Sequence, residues 1–353
     1  MYQLKRNKMQ RLDTPIHNAS SIDAIREELA YQGVSIVRVI NDARAADIEQ
    51  NTSHVPMLLR EDGGTAHGSR GMGGIAKGYG AACDPSIAEV RVMDETRNLF
   101  ASIYDLAPSD VMSGWDAIAI TGNDAGRDRP PMAAALNHVD AQKAYKALTN
   151  STLQPHVDVG VGTHGSKMED KMKDLHPILP CCVQGQYVVT SVPRGGATLV
   201  VSPGEYADAP PNPDWFTVDN GRDFCPCTPA GYGALRDTWR AVEAPRGCVI
   251  LWLSRLPHGN KLSDFGVDPH RFVIYVSWQA RALVTDEERR VLKRKKMDAV
   301  TTGATTDHWS TNASRVYRGS HYSNGAKKTK VVYSADHPPT YDDALRAKIE
   351  DAF

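Results

Sequence analysis

Several absences narrow the field before any motif is considered. No apolar run reaches 18 residues in this 353-residue chain, which excludes a membrane-spanning helix of ordinary length. The opening MYQLKRNKMQRLDTP is basic, yet it is not followed by the roughly 7 to 15 apolar residues of a secretory leader. A cytoplasmic protein is therefore expected. The glycine-rich stretch 63–80 lacks the GK[ST] ending of a phosphate-binding loop, so nucleotide chemistry of that kind is set aside. Cys225-Pro226-Cys227 has no second pair at zinc-site spacing, because Cys181 and Cys182 are adjacent. With Cys83 and Cys248, these six are read as reduced thiols. No repeat of solenoid length occurs either.

What is present describes an ordinary globular chain, with 41% apolar and 24% charged residues and a formal net charge of -1. The charge is uneven: residues 281–330 hold twelve Lys/Arg against five Asp/Glu. Such a segment suits either the solvated face of a helix, as ERRVLKRKK reads, or an anionic partner.

The N-terminal part reads as helix and strand. Ser20-x-x-Asp23 resembles a capping box before IDAIREELAY, Gly33 ends that helix, and the β-branched VSIVRVI follows as a strand. DARAADIEQ and SIAEVRVMDETRNLFASIY each read as helices, the latter with Ile87, Val90, Leu99 and Ile103 at core-facing spacing. From about residue 111 the texture changes to short strands separated by Gly and Pro: GWDAIAI, QGQYVVTSV, ATLVVSPG, GCVILWL and RFVIYVSW. That density predicts a sandwich or jelly roll, and the missing helix–strand alternation argues against a doubly wound parallel sheet. Thr285-x-x-Glu288 then opens a helix, and TYDDALRAKIEDAF closes the chain as another.

Two His-x-Asp pairs, His138/Asp140 and His156/Asp158, are the first candidates for metal chemistry. Twelve His and thirty Asp in 353 positions give about one such match by chance, so context has to decide. LQPHVDVG alternates as a strand does, which puts His156 and Asp158 on one face; MAAALNHVDAQKAYKAL reads as a helix, where i and i+2 diverge. Downstream, His258 and Arg271 sit on consecutive predicted strands. Two imidazoles and one carboxylate leave three open positions on an ion, the arrangement of non-haem Fe(II) oxygenases. An arginine fork suits the far carboxylate of a bidentate cosubstrate. Gln184 and Gln186 can face such a cofactor or pair across strands. His270 points away from Arg271, and His308 and Trp309 fit either closure over the site or core packing.

Taken in order, GIAKGYG (74–80), SGWDAI (113–118), PHVDVG (155–160), CVQGQYVV (182–189), GGATLVVSPGEY (195–206), APRGCVILWLSRLPHGN (244–260) and RFVIYVSWQAR (271–281) resemble the phytanoyl-CoA dioxygenase-like branch of Fe(II)/2-oxoglutarate oxygenases. TTDHWS (305–310) is similar to a C-terminal stretch of some uncharacterised members. The resemblance implies a mainly β, α+β chain with a double-stranded β-helix (jelly-roll, cupin-like) core. It spans about residues 30 to 312; from the return to helix after residue 284, the chain is divided into one oxygenase domain over 1–284, with an N-terminal helical elaboration and a jelly-roll core from about 111, and a helical and loop extension over 285–353 packed on the core. The family's iron ligands fall on His156, Asp158 and His258, and its 2-oxoglutarate anchor on Arg271; Gln184 is added as a cofactor contact from its own place on the CVQGQYVV strand. His138/Asp140 is the alternative proximal pair, since the long interval between SGWDAI and CVQGQ holds both copies. The implied cofactors are Fe(II), 2-oxoglutarate and O2, and the implied partner is a small organic substrate, with an anionic one compatible. In halogenating members a small residue replaces the carboxylate, so Asp158 implies hydroxylation or a related oxidation. The competing reading is a non-catalytic jelly-roll protein that engages a polyanion through the basic segment. Few aromatics interleave that segment, which speaks against single-strand stacking.

Overall fold

The computed structural model describes residues 9–56, 75–76, 80–121, 155–159, 171–172, 175, 179, 182–204, 212–217, 224–261, 263–264, 267–268, 270–311, 316 and 339–353. The first elements are β1 (Ile16–Asn18), α1 (Ile22–Gln32), β2 (Val34–Arg38), α2 (Asp42–Asn51), β3 (Ile75–Ala76), α3 (Pro85–Arg91) and α4 (Asp94–Ile103). Strands β4 (Val111–Ser113), β5 (Ile118–Thr121), β6 (His156–Val157), β7 (Val183–Val188), β8 (Thr198–Val201) and β9 (Cys225–Pro226) follow. Then come α5 (Pro229–Leu235), β10 (Arg240–Ala241), β11 (Cys248–Leu253), β12 (His258–Lys261), β13 (Arg271–Val276), β14 (Trp278–Ala280), α6 (Asp286–Thr301) and α7 (Asp343–Ala352).

The chain is α+β, built on sheets that are antiparallel except for the β1–β2 pair. Seven strands form one sheet in the order β1-β2-β11-β7-β13-β5-β3, and five form a second in the order β10-β8-β12-β6-β9. Every residue of β11 is buried, as expected of CVILWL placed centrally between β2 and β7. Helix α1 presents Ile25 and Leu29 to the core and stops at Gly33, whose φ of 75° is a left-handed cap that a side chain would strain. The chain then turns directly into β2.

Side-chain parity fixes how the sheets meet. In β8, Leu199 and Val201 belong to the main core, whereas Val200 joins a separate cluster with Val157, Cys225, Phe216, Tyr232 and Trp239. Residues directly opposite in an antiparallel pair share a face. His258 lies opposite both Val201 and His156, so both imidazoles leave the smaller sheet toward the main core. On β7 of the larger sheet, Gln184 lies opposite Trp252, and Gln186 opposite Ile250 and Tyr275. Arg271 shares their face, since it and Tyr275 are an even number of residues apart along β13.

Local departures from the sequence reading have identifiable causes. The N-cap of α1 is Ser21, without a side-chain cap bond, and Ser20 is held by Asn18 instead of capping the helix. The region 85–103 is two helices, broken where Met93 adopts an extended conformation. The capping box at Thr285 and Glu288 is present. The basic face of α6 is largely engaged: Arg289 and Arg290 pair with Asp286 and Glu287, Lys293 donates to the Glu350 carbonyl, and Lys296 is buried. No described helix is long and apolar enough to cross a membrane.

Candidate metal centre

His156, Asp158 and His258 converge between the sheets, their ligand atoms all within 4.8 Å of one another. Among the described residues this is the one group of three that can hold a metal ion. The route to convergence differs from the strand alternation expected. β6 is only two residues long, and Asp158 lies past its end, its backbone N–H donating to the Ser254 carbonyl at 2.9 Å. The strands of His258 and Arg271 are consecutive along the chain but sit in different sheets. His138 and Asp140 lie outside the described residues.

The site is buried and prearranged. His156, Asp158 and His258 are 3%, 6% and 4% exposed. The two imidazoles stack at 4.2 Å between centroids, with Phe224 at 4.3 Å from His156 and Trp252 at 5.6 Å from His258. His258 Nδ1 is 2.9 Å from the Leu256 carbonyl, an acceptor that holds the proton on Nδ1, so an ion entering the site has only to replace the contact of Nε2 with Asp158 Oδ2 at 3.2 Å. Burial by itself would raise the Asp158 carboxyl. The charges of His308 and His156, with hydrogen bonds from His156 and His258, outweigh it and hold the group well below the usual carboxylate range. Asp158 is thus a ready anion.

Gln184 supports that anion, donating from Nε2 to Asp158 Oδ2 at 3.0 Å and lying 3.4 Å from Ser254 Oγ. Two residues along the same face, Gln186 Oε1 accepts from Arg271 Nη2 at 2.8 Å. Burial lowers the Arg271 guanidinium from its ordinary value, against the opposing influence of Tyr275. Arg271 Nε, Gln186 Nε2, Asn260 Oδ1 and Trp252 Nε1 are buried without hydrogen-bond partners among the described residues. Unpaired buried polar atoms cost roughly 1–3 kcal/mol each; others, such as Tyr232 Oη and Trp239 Nε1, lie in the outer cluster of the smaller sheet.

The sequence reading did not single out Asn260, Trp252 or Tyr275. A parity signal existed for each: Asn260 is two residues beyond His258, Trp252 is opposite Gln184, and Tyr275 is four beyond Arg271. His270 is exposed and its backbone N–H is tied to Asp268, apart from the site. Cys225 and Cys227 are buried in the outer cluster of the smaller sheet. His308 acts electrostatically on Asp158, and the Trp309 ring lies 5.6 Å from that of His308.

No protein-family model matches the chain, and no curated protein matches it by sequence. Among solved structures it is similar to the hypothetical protein JW0805 from Escherichia coli, at 15% identity over 86% of this chain and 81% of that one, with a TM-score of 0.52. It is also similar to the putative oxidoreductase from Salmonella typhimurium LT2, at 14% identity over 84% and 81%, with a TM-score of 0.50. At 11% identity over 74% and 84%, with a TM-score of 0.47, stands the epimerase SnoN, solved with Fe3+, alpha ketoglutarate and nogalamycin RO. At these identities the first two likenesses establish a shared fold.

Proposed function

We propose that the chain is an Fe(II)- and 2-oxoglutarate-dependent oxygenase of the phytanoyl-CoA dioxygenase-like kind, with a double-stranded β-helix core, that hydroxylates or otherwise oxidises a small organic substrate. The oxygenase unit is assigned to residues 1–284 and the extension to 285–353. One observation carries the reading: a buried His–Asp–His group faces a sheet that also carries a buried arginine, and two glutamines of one strand link them.

The donor set fits the metal. Two neutral imidazoles and one carboxylate form the facial triad suited to Fe(II), with three positions left open. The surroundings fit the cosubstrate as well. Same-face neighbours on a strand are about 6.6 Å apart, so Gln184 at the ligand carboxylate and Gln186 at Arg271 mark out a span comparable to a five-carbon diacid. Arg271 would take the far carboxylate through its unpartnered Nε edge, and the Asn260 amide and Trp252 Nε1 supply further polar contacts. Bound iron would supply dioxygen activation, with 2-oxoglutarate and O2 converted to succinate and CO2 as one oxygen atom enters the substrate. The protein's own share is to exclude water, orient Asp158 through Gln184, and keep His258 in its Nε2-ligating tautomer.

The test is succinate formation from 2-oxoglutarate under air with Fe(II) added, in the wild type and in His258→Ala. Iron-dependent succinate that disappears in the variant supports the reading, and equal succinate in both removes His258 from the site.

A further inference from the structure

Beside the metal ligands stands a second polar group that the oxygenase reading does not use. His308 Nδ1 lies 2.9 Å from Asp307 Oδ1, so one ring nitrogen is committed to a carboxylate. The other, Nε2, is buried and has no hydrogen-bond partner among the described residues, and the same holds for Trp309 Nε1. The two rings lie 5.6 Å apart. A histidine serving only the core would be expected to spend both nitrogens on protein partners, because an unpaired buried nitrogen is costly.

The position of His308 is specified by the fold. Ser277 Oγ donates to its carbonyl oxygen, and Ser310 Oγ donates back to the Ser277 carbonyl at 3.0 Å. Lys296 Nζ ties the Ser310 carbonyl at 2.6 Å to that of Ser113 at 2.5 Å. Gly114 is required by close approach, since a Cβ there would lie 2.6 Å from Ser277 Oγ and 3.4 Å from the His308 carbonyl oxygen. His308 is outside the group of three that can hold an ion. Its segment is tied to the metal side by hydrogen bonds, since Gln279 accepts from Thr311 at 2.9 Å and donates to Cys182 Sγ, and the Cys182 carbonyl accepts from Ser254 Oγ, which lies 3.4 Å from Gln184; His308 and Asp158 are also each other's strongest charge partner. Burial would lower the His308 pKa, but Asp158, Asp307 and Asp116 together raise it to about 9.

We propose that His308 grips an anionic oxygen of the primary substrate, a carboxylate or phosphate, through Nε2 beside the metal centre, with Asp307 as the positioning residue that fixes the ring. The inference deepens the oxygenase reading and rests on it for the identity of the neighbouring metal and keto acid; the contact itself needs only His308, Asp307 and the clamp that holds them.

The test is 15N–1H ring-correlation NMR on the full chain, both metal-free and loaded with diamagnetic Zn(II) plus 2-oxoglutarate, with inorganic phosphate and acetate titrated separately. The His308 signals are assigned by their loss in His308→Phe. Saturable movement of His308 Nε2 with either anion is expected, together with a rise in Tm. That Tm response should weaken at least tenfold in anion affinity in His308→Phe and recover in part in His308→Gln, which keeps an N–H donor. Which anion binds distinguishes a phosphate-bearing from a carboxylate-bearing substrate. Asp307→Asn should shift the ring-proton population between the two nitrogens while zinc stoichiometry stays unchanged, a signature that loss of packing would not produce. An Nε2 that ignores both anions in both forms, or a Tm response undiminished in His308→Phe, overturns the proposal. An anion response that depends on His308 in a protein that binds no zinc leaves this site standing and removes the oxygenase reading. Zinc and keto-acid binding without an Nε2 response does the reverse.

Discussion

Replacing Gln184 by leucine isolates what the protein contributes to the metal site beyond its three ligands. The side chain is 3% exposed, and its Nε2 donates to Asp158 Oδ2 at 3.0 Å. Leucine keeps the approximate volume and removes the donor. A hydrogen bond to a charged acceptor contributes about 1.5–3 kcal/mol, and about 1.4 kcal/mol is tenfold in affinity. That sets an upper limit near a hundredfold, consistent with the loss usually seen when a ligand's supporting hydrogen bond is removed. The same bond also stabilises the metal-free carboxylate, so part of its energy cancels, and what the variant loses is fixation of the carboxylate. Metal affinity is therefore expected to fall toward the lower end, about tenfold. Anaerobic equilibrium dialysis against Fe(II), with urea unfolding run in parallel to confirm the fold, measures it. An unchanged Kd in a folded Gln184→Leu protein would refute the claim that this bond prearranges Asp158.

Arg271→Ala should leave iron bound and raise the 2-oxoglutarate concentration needed for half-saturation by at least tenfold, since the guanidinium reaches Gln186 and not the metal ligands; titration of the iron-loaded protein checks this. Gly114→Ala should cost about 1–3 kcal/mol through the 2.6 Å approach to Ser277 Oγ, read as a lower urea midpoint. Burial, with the charge of Arg281, lowers the Lys296 pKa from 10.5 to about 7. A base depressed in the fold contributes stability that is full above its unfolded pKa and is lost as pH falls to the folded one. Lys296 should accordingly add on the order of 4 kcal/mol between pH 7 and pH 10.5, a slope absent from Lys296→Met. Urea midpoints of both proteins at pH 7 and pH 10 decide it, and an equal difference at the two pH values contradicts it.

Much of the architecture was legible because its signals are local. CVILWL is fully buried and central, the Thr285/Glu288 box caps its helix, and Gly33 ends α1 at a positive φ. What was not legible depends on which sheet a strand joins. His258 and Arg271 read as neighbours along the chain, but β12 pairs with β6 and β8 while β13 pairs with β5 and β7. Strand alternation likewise could not anticipate that Asp158 lies beyond a two-residue strand and is held by the Ser254 carbonyl. The surroundings of His308 were hidden for the same reason. Lys296, Ser277 and Gly114 are distant in sequence, and only tertiary packing makes them one clamp.

Retention of 1-[14C]-2-oxoglutarate by the iron-loaded protein under nitrogen tests the central claim most directly, because it requires the metal ligands and the arginine together but no primary substrate. One equivalent should be retained with Fe(II) and none without it. Arg271→Ala should keep the iron and lose the keto acid, Asp158→Ala should lose both, and Asp140→Ala should keep both. Keto-acid retention that is absent, or indifferent to iron and to Asp158, would contradict the account.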